Sequence, residues 1–318
     1  MKPLVSILIP CHNAAPYVGA AIESVIAQTW QTTQIIVVND GSTDGSDKVL
    51  KKYVAERVRV VTPDKPLRSA AKSRNLAYEH STGDFIKFFD ADDLMHPKMV
   101  EHQIAKLNDL ESDVASSGWG RFYRDDLATF KQNPQSVWRD MDARDWLIEA
   151  FADARPMMQP GMFLIPRNLI ERAGGWDENL SLIDDFEFFA RVLSLAGNVR
   201  FTPDVPLMYR SGLECSLSGR KSDAAIESAF HSLTRGTGHL LSARDDNAAR
   251  RACANVLQDF IYAYYPRAHH LSAQIEVRVN ELGGSDLTPD GPPKFQMLRK
   301  LIGWKLARRI QHMATPRP

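Results

Sequence analysis

The stretch Phe85-Ile86-Lys87-Phe88-Phe89-Asp90-Ala91-Asp92-Asp93 decides how this chain reads. Its first half is a short apolar run rich in β-formers, the pattern of a buried strand in a parallel sheet. Its second half packs three carboxylates into four residues. Like charges at that density repel one another and are costly to desolvate. A divalent cation is the simplest remedy. Asp90 and Asp92 are spaced so that a turn at the strand's carboxyl end aims both at one point. An all-oxygen donor set suits Mg²⁺ or Mn²⁺, which keep positions open for phosphate oxygens. For an isolated Asp-x-Asp the alternatives are capping of the helix near Pro97 or plain solvation, because such tripeptides are common by accident.

Working upstream, Val5-Ser6-Ile7-Leu8-Ile9 predicts a strand stopped by Pro10, then a loop, Cys11-His12-Asn13. From Pro16 onward Val18, Ala21, Ile22, Val25 and Ile26 recur at helical spacing. Ile35-Ile36-Val37-Val38 is a second strand, and it runs into a polar loop over 39–46, where Asp44 is suited to an Asx turn. A helix through 49–54, a strand over 58–61 and a helix over 69–78 follow, and Gly83 turns the chain into the opening strand. This alternation predicts an α/β fold with a doubly wound, mostly parallel sheet. Ligands of such sheets bind beyond the carboxyl ends of the strands. Three polar loops lie there: 11–13, 39–46 and 90–93.

Downstream, the patterns predict a helix over 97–110, a strand or hairpin over 114–123 and a helix over 142–151. A strand over 161–165 closes at Pro166, and a short helix spans 167–173. Asp184 and Asp185 then open an apolar helix over 186–195. Acids at that end complement the helix dipole, so capping and chemistry both remain open there. Short strands are expected at 199–201 and 207–209. Beyond about Ser218 the patterns turn helical, at 224–241, 248–265 and 272–282. The division expected is a domain over 1–218, in two halves of about 1–112 and 113–218, and a helical region over 219–318. Its tail, 294–313, holds six Lys or Arg and no acid, with an apolar stripe at Phe295, Leu298, Ile302, Leu306, Ile310 and Met313. That stripe suits either a helix packed on the domain or one resting on a membrane surface.

Composition narrows the class further. Lys plus Arg equals Asp plus Glu, 39 each, so no global field favours nucleic acid. Cys11, Cys215 and Cys253 form neither a disulfide framework nor a zinc spacing, which fits a reducing, cytoplasmic setting. Met1-Lys2-Pro3-Leu4 runs straight into a strand with no signal-peptide pattern, and no apolar run approaches the ~20 residues of a spanning helix. His12 has no second His or Cys at ligand spacing and reads as a loop residue. Trp119 and Trp176 suit either a sugar face or core packing.

Four segments in order resemble the inverting glycosyltransferases of family two, which have the GT-A fold. They are VSILIPCHN from Val5, VVNDGSTDGS from Val37, SRNLAYEHSTGDFIKFFDADD from Ser73, and GGWDENL followed by IDDFEFFARV. The resemblance covers roughly 4–218. It implies a metal-dependent transferase, using Mn²⁺ or Mg²⁺, that moves a sugar from a nucleotide sugar to a hydroxyl acceptor with inversion. A glycan or lipid-linked sugar of polysaccharide or glycolipid synthesis would be the acceptor. UDP is the nucleotide favoured, because the family uses it most. By the same resemblance Asp40 would hydrogen-bond the base edge, and Pro10 and Asn13 would line the nucleoside pocket. Arg74 would lie near phosphate, and Asp90 by the ribose and the metal's water shell. Asp92 would bind the metal, and Asp93 would be a supporting or sugar-contacting acid. Asp185 aligns with the catalytic base, because Arg191 follows six residues later. Asp184 replaces the family's usual glutamate, which leaves the base to be chosen between two adjacent aspartates. Many members carry a histidine just after the Tyr209-Arg210 pair; here Ser211 follows, so no metal-binding histidine is assigned.

Two other functions share the same broad pattern. A nucleotidyltransferase making nucleotide sugars would show a glycine-rich, basic phosphate loop after the first strand. Cys11-His12-Asn13-Ala14-Ala15 has neither glycine nor Lys or Arg. A non-catalytic nucleotide-sugar sensor is opposed by intact Asp92 and Asp185.

Overall fold

In the computed structural model, which describes residues 2–54, 57–213 and 222–314, the apolar runs pair into a sheet. Strands β1 (Val5–Cys11), β2 (Thr33–Asn39), β3 (Val58–Val61) and β4 (Phe85–Phe88) lie in the order β3-β2-β1-β4, all parallel. The connections carry α1 (Val18–Ile26), α2 (Ser46–Leu50) and α3 (Ala70–Glu79). Next come β5 (Leu94–Met95), α4 (Met99–Lys106), β6 (Val114–Tyr123), β7 (Asp126–Gln132), β8 (Met141–Asp142) and α5 (Ala143–Ala152). They are followed by β9 (Phe163–Pro166), α6 (Arg167–Ala173), α7 (Asp184–Leu195) and β10 (Asn198–Ser211).

The sheet continues from β4 through β9, β6 and β10 to β5, and here it is mixed. Strand β9 is antiparallel to both β4 and β6, whereas β6 and β10 are parallel. So β6 and β10 run in the same sense as β4, and all three end on one edge. The remaining helices are α8 (Asp223–Ala243), α9 (Asn247–Tyr264), α10 (His269–Glu281), α11 (Pro293–Ile302) and α12 (Trp304–Ala314). Helix α8 packs on α7, and α9 packs on α5 and α10. The boundary expected at Ser218, and Cys215, lie outside the described residues.

Several expectations are corrected, each for a physical reason. Pro10 does not stop β1; it pairs in register with Val38 inside the strand. The Leu8 carbonyl accepts from the Phe89 N–H (2.9 Å), so Pro10, two residues on, faces the same side. Strand β4 has ended there, so no ladder bond needs the N–H that proline lacks. Strand β7 gives no apolar signal because six of its seven residues are exposed. It exists as the hairpin partner of β6, through a turn in which Arg124 and Asp125 take the left-handed backbone usually given by Asn-Gly. The strand expected from Gly161 begins with a 3-10 turn, Pro160–Met162. The two short strands near 200 and 208 are one strand, β10, irregular between Thr202 and Leu207. Lys87, inside the apolar run, is fully buried; its ammonium donates to Gln103 Oε1 (2.9 Å) and the Phe163 carbonyl (3.3 Å). Burial pushes it down to about 7.

The basic tail is also corrected. It is two helices broken at Gly303, whose φ of 77° a side chain rarely adopts. Phe295 is buried beneath the Arg308 guanidinium (4.2 Å), so the expected single stripe does not lie on one surface.

Candidate functional site

Strands β2, β1 and β4 are adjacent and parallel, so their carboxyl ends and following loops meet at one place. Short polar contacts tie the first two loops together. Asn13 takes a left-handed backbone (φ 51°), donates its N–H to Ser42 Oγ (3.0 Å) and accepts from the Thr43 N–H (2.8 Å). Asp44 accepts from the N–H groups of Ala15 (2.8 Å) and Ser46 (3.0 Å), which gives the Asx turn. Asp40 is buried, and its carboxylate accepts from the N–H groups of Leu67 (2.5 Å) and Ser69 (3.4 Å). It therefore orders the segment entering α3, while a carboxylate's remaining lone pairs stay available to another donor.

Ser69 caps α3 by accepting from the Lys72 N–H (3.3 Å), and Arg74 follows in the helix's second turn. The Arg74 guanidinium joins two distant parts of the chain. One amino group donates to Asp90 Oδ1 and the other to Asp184 Oδ2, both at 2.9 Å. Beneath it lies the Trp176 ring, 4.3 Å away, stacked in turn on Phe188 at 4.1 Å. Trp176 and Trp119 are both buried, so core packing is their role. Arg74 stands between the two carboxylates, beside the acidic turn that follows β4.

Asp90 and Asp92 follow β4. No other described residue donates a hydrogen bond to the Asp92 carboxylate, and burial together with nearby Asp90 pushes it up to about 6. Asp93 differs. It is 1% exposed, and its Oδ1 accepts from the Arg210 N–H on β10 (2.9 Å). Burial, then Asp92, hold it well above the usual carboxylate range. Arg210 also donates to the Asp92 carbonyl (2.7 Å) and pairs with Asp125. Asp93 therefore anchors the acidic turn internally, in keeping with the supporting role that was one of the two expected for it.

At the start of α7, Ile183 is the N-cap, so neither Asp184 nor Asp185 caps the helix from outside. Asp184 is occupied by Arg74 and by the Asp185 N–H (3.1 Å). Asp185 Oδ1 accepts from the Phe186 N–H (2.9 Å), and its other oxygen has no partner among the described residues. Burial and the adjacent Asp184 push Asp185 up to about 7. A carboxyl poised there can take a proton near neutral pH. Burial also raises Asp184, against the pull of Arg74.

The cleft thus sets Asp90, Asp92, Asp184 and Asp185 around one guanidinium. Among the described residues no three His, Cys, Asp or Glu lie close enough to hold a metal by themselves. The unpartnered Asp92 oxygens do fit Mg²⁺ or Mn²⁺, which bind through one or two carboxylates and take phosphate or water oxygens for the rest.

Sequence reasoning missed two supports, Arg210 and Asn75, and used Arg191 only to place the base. Arg210 anchors the acidic turn; the Tyr209-Arg210 pair drew attention only for the residue after it. Asn75 accepts from the Trp176 N–H (2.8 Å) and donates to its carbonyl (2.9 Å), holding the loop under Arg74. Arg191 donates to the Ala173, Gly174 and Gly175 carbonyls and pairs with Glu187, so it fixes α7 against that same loop. For the two arginines a charged side chain among apolar neighbours was the available signal; the neutral Asn75 carried none.

Comparison with known proteins bears on this geometry. The family model described as "Glycosyl transferase family 2" matches residues 6–173, more than half of the chain. An uncharacterized glycosyltransferase of Rickettsia typhi is 28% identical over 211 residues, which cover 66% of this chain and 64% of that protein. The chain thus spans less than two thirds of that relative's length. S. aureus TarS in complex with UDP superposes with a TM-score of 0.69 at 15% identity, covering 99% of this chain and 93% of the solved one. A mannosyltransferase of Pyrobaculum calidifontis in complex with GDP-Man and Mn²⁺ gives 0.53 at 15% identity, covering 99% and 88%. At that identity the solved structures establish a shared GT-A-type fold. No helix among the described residues is long and apolar enough to cross a membrane.

Proposed function

The chain belongs to glycosyl transferase family 2, and from that premise we propose that it moves a sugar from a nucleoside diphosphate sugar to a hydroxyl acceptor with inversion, with Mn²⁺ or Mg²⁺ as cofactor. The observation that carries the reading is the Arg74 bridge. It holds Asp90 and Asp184 (2.9 Å to each) and leaves Asp92 and Asp185 with unpartnered oxygens in the same cleft. Asp92, with Asp90 beside it, would hold the divalent ion, which when bound neutralises charge developing on the diphosphate. Asp185 takes the acceptor's proton as the hydroxyl attacks, and one displacement assisted by one base inverts the anomeric carbon. Asp184 keeps Arg74 in place beside it. Asn13, Pro10 and Asp40 border the region where the nucleoside would sit.

UDP is the nucleotide proposed, supported by the TarS complex and by Asp40, whose carboxylate can accept from a base N–H; the Pyrobaculum complex makes GDP the competitor. Thermal-shift measurements with Mn²⁺ should show UDP raising the melting temperature more than GDP. In calorimetry Asp40→Ala should weaken UDP binding about tenfold, as expected for losing a buried hydrogen-bond partner worth about 1–3 kcal/mol. Equal binding by both proteins would remove Asp40 from the nucleotide site.

The α11–α12 pair supports a second partner, an anionic lipid surface near which a lipid-linked acceptor would be met. Phe295, Trp304 and Ala307 turn inward, with the Trp304 ring edge-on to Tyr262 and Tyr265. Met297, Leu301, Leu306 and Met313 stay exposed, Leu301 at 76% and Met313 at 78%, in a segment with six cations and no acid. Each cation near an anionic surface contributes about 1 kcal/mol. The full chain should sediment with anionic but not neutral liposomes, less so at high salt. The Met297→Glu/Leu301→Glu variant should stay in the supernatant. Equal behaviour of the two proteins would make the exposed face a solvated one.

A further inference from the structure

Asp185 lies beyond the segment that the family model matches, 6–173, and the chain entering it has an unusual backbone. Ile183 has φ 59° and ψ 30°, the left-handed region. For a β-branched residue this is a genuine outlier, and such strain persists only where neighbours over-determine it. The neighbours are on α8. Ser228 Oγ accepts from the N–H groups of Ser181 (2.7 Å) and Leu182 (3.0 Å), and Ser232 Oγ donates to the Ile183 carbonyl. One further turn along, Gly236 lets α8 close on α7: a Cβ there would stand 2.4 Å from the Phe186 ring. His239 Nε2, 2.9 Å from Glu187 Oε1, adds a last tether on the same side. Ser228, Ser232 and Gly236 are spaced four apart and therefore share one face of α8.

We propose that Ser228 and Ser232 are positioning residues for the transfer: they hold Ile183 in its left-handed conformation and so fix where α7 begins and where the Asp185 carboxyl stands. A hydroxyl that satisfies two consecutive N–H groups and another that satisfies the next carbonyl leave the three residues before Asp184 little freedom to rotate. Helix α8 is then part of the catalytic apparatus, although it supplies no group to the reacting atoms. This inference rests on Asp185 being the base.

The test uses the full chain with Ser228→Ala, Ser232→Ala and both together. Hydrogen exchange should accelerate tenfold or more in the doubly substituted protein, confined to the segment around 178–188. With UDP-N-acetylglucosamine or GDP-mannose and Mn²⁺, nucleotide release should slow at least tenfold while nucleoside diphosphate affinity changes less than twofold. Adding Ile183→Gly, which takes the left-handed region without strain, should recover part of the rate. A purely structural role would instead lower affinity and rate together. Unchanged exchange around 178–188, or joint loss of rate and affinity in both single variants, overturns the proposal. Asp185→Asn, measured beside them, separates the two ideas. If it keeps full turnover, the assignment of the base is wrong; if it is inactive while the serine variants match wild type, only the clamp is wrong.

Discussion

Asp185→Asn should lower turnover by about 10²–10⁴, the usual worth of a positioned general base, and leave nucleotide-sugar affinity nearly unchanged. The base meets the acceptor hydroxyl and acts mainly in the transition state, so the loss falls on kcat. Asp184→Asn should cost less, because Asp184 acts through its 2.9 Å contact with Arg74. If the two rank the other way, Asp184 is the base. Burial, then Asp184, push Asp185 up to about 7, so its proton-accepting form fills only above that pH. The kcat/KM of wild type should therefore rise with pH through about 7. The same shift has a stability sign. A carboxyl raised from 3.8 to about 7 in the folded state binds extra protons there, so its stabilising effect is lost as pH rises across that window. The Asp185→Asn variant escapes that loss and should melt higher than wild type at pH 8, which also shows that its inactivity is not unfolding.

Asp92→Ala should abolish transfer and leave the fold intact. The Asp92 carboxylate has no hydrogen-bond donor from another described residue and is destabilised by burial beside Asp90, so its removal breaks no tertiary hydrogen bond and relieves repulsion. Wild-type activity should disappear in EDTA and return with Mn²⁺ or Mg²⁺. Circular dichroism and melting temperature should match wild type. Asp93→Ala is the contrast. It removes a buried acceptor of the Arg210 N–H and should lower stability as well as activity. Full activity of wild type in EDTA would take the metal out of the mechanism.

The reasons these residues were or were not legible differ. The acidic turn after β4 was legible because an apolar run ending in dense charge is costly without a use. The parallel half of the sheet was legible because β1, β2 and β4 are nearly continuous apolar runs. The place of Asp184 and Asp185 at the start of an apolar helix left capping and chemistry open, and only the family resemblance singled out Asp185. What the sequence hid are contacts set by tertiary closure. Arg74 and Asp184 are 110 positions apart, and no local pattern signals that pair. Asp93 and Arg210 are 117 apart and meet only because β10 lies beside β6. Pro10 misled because its effect depends on where β4 ends. Lys87 passed as part of an apolar run because Gln103, which receives its ammonium, lies on a helix 16 positions away. The tail's stripe was a true helical periodicity, but Gly303 cut it in two, and packing of Phe295 took its first member inside.

The most direct test of the account follows the fate of the donor's anomeric carbon. Proton NMR of UDP-N-acetylglucosamine or GDP-mannose with the full chain and Mn²⁺, water serving as a slow acceptor, reads bond cleavage and configuration together. Wild type should release nucleoside diphosphate and give the inverted sugar first, before mutarotation, and neither Asp185→Asn nor Asp92→Ala should do so. Release of the sugar with its configuration retained, or equal release by the Asp185→Asn protein, would contradict it.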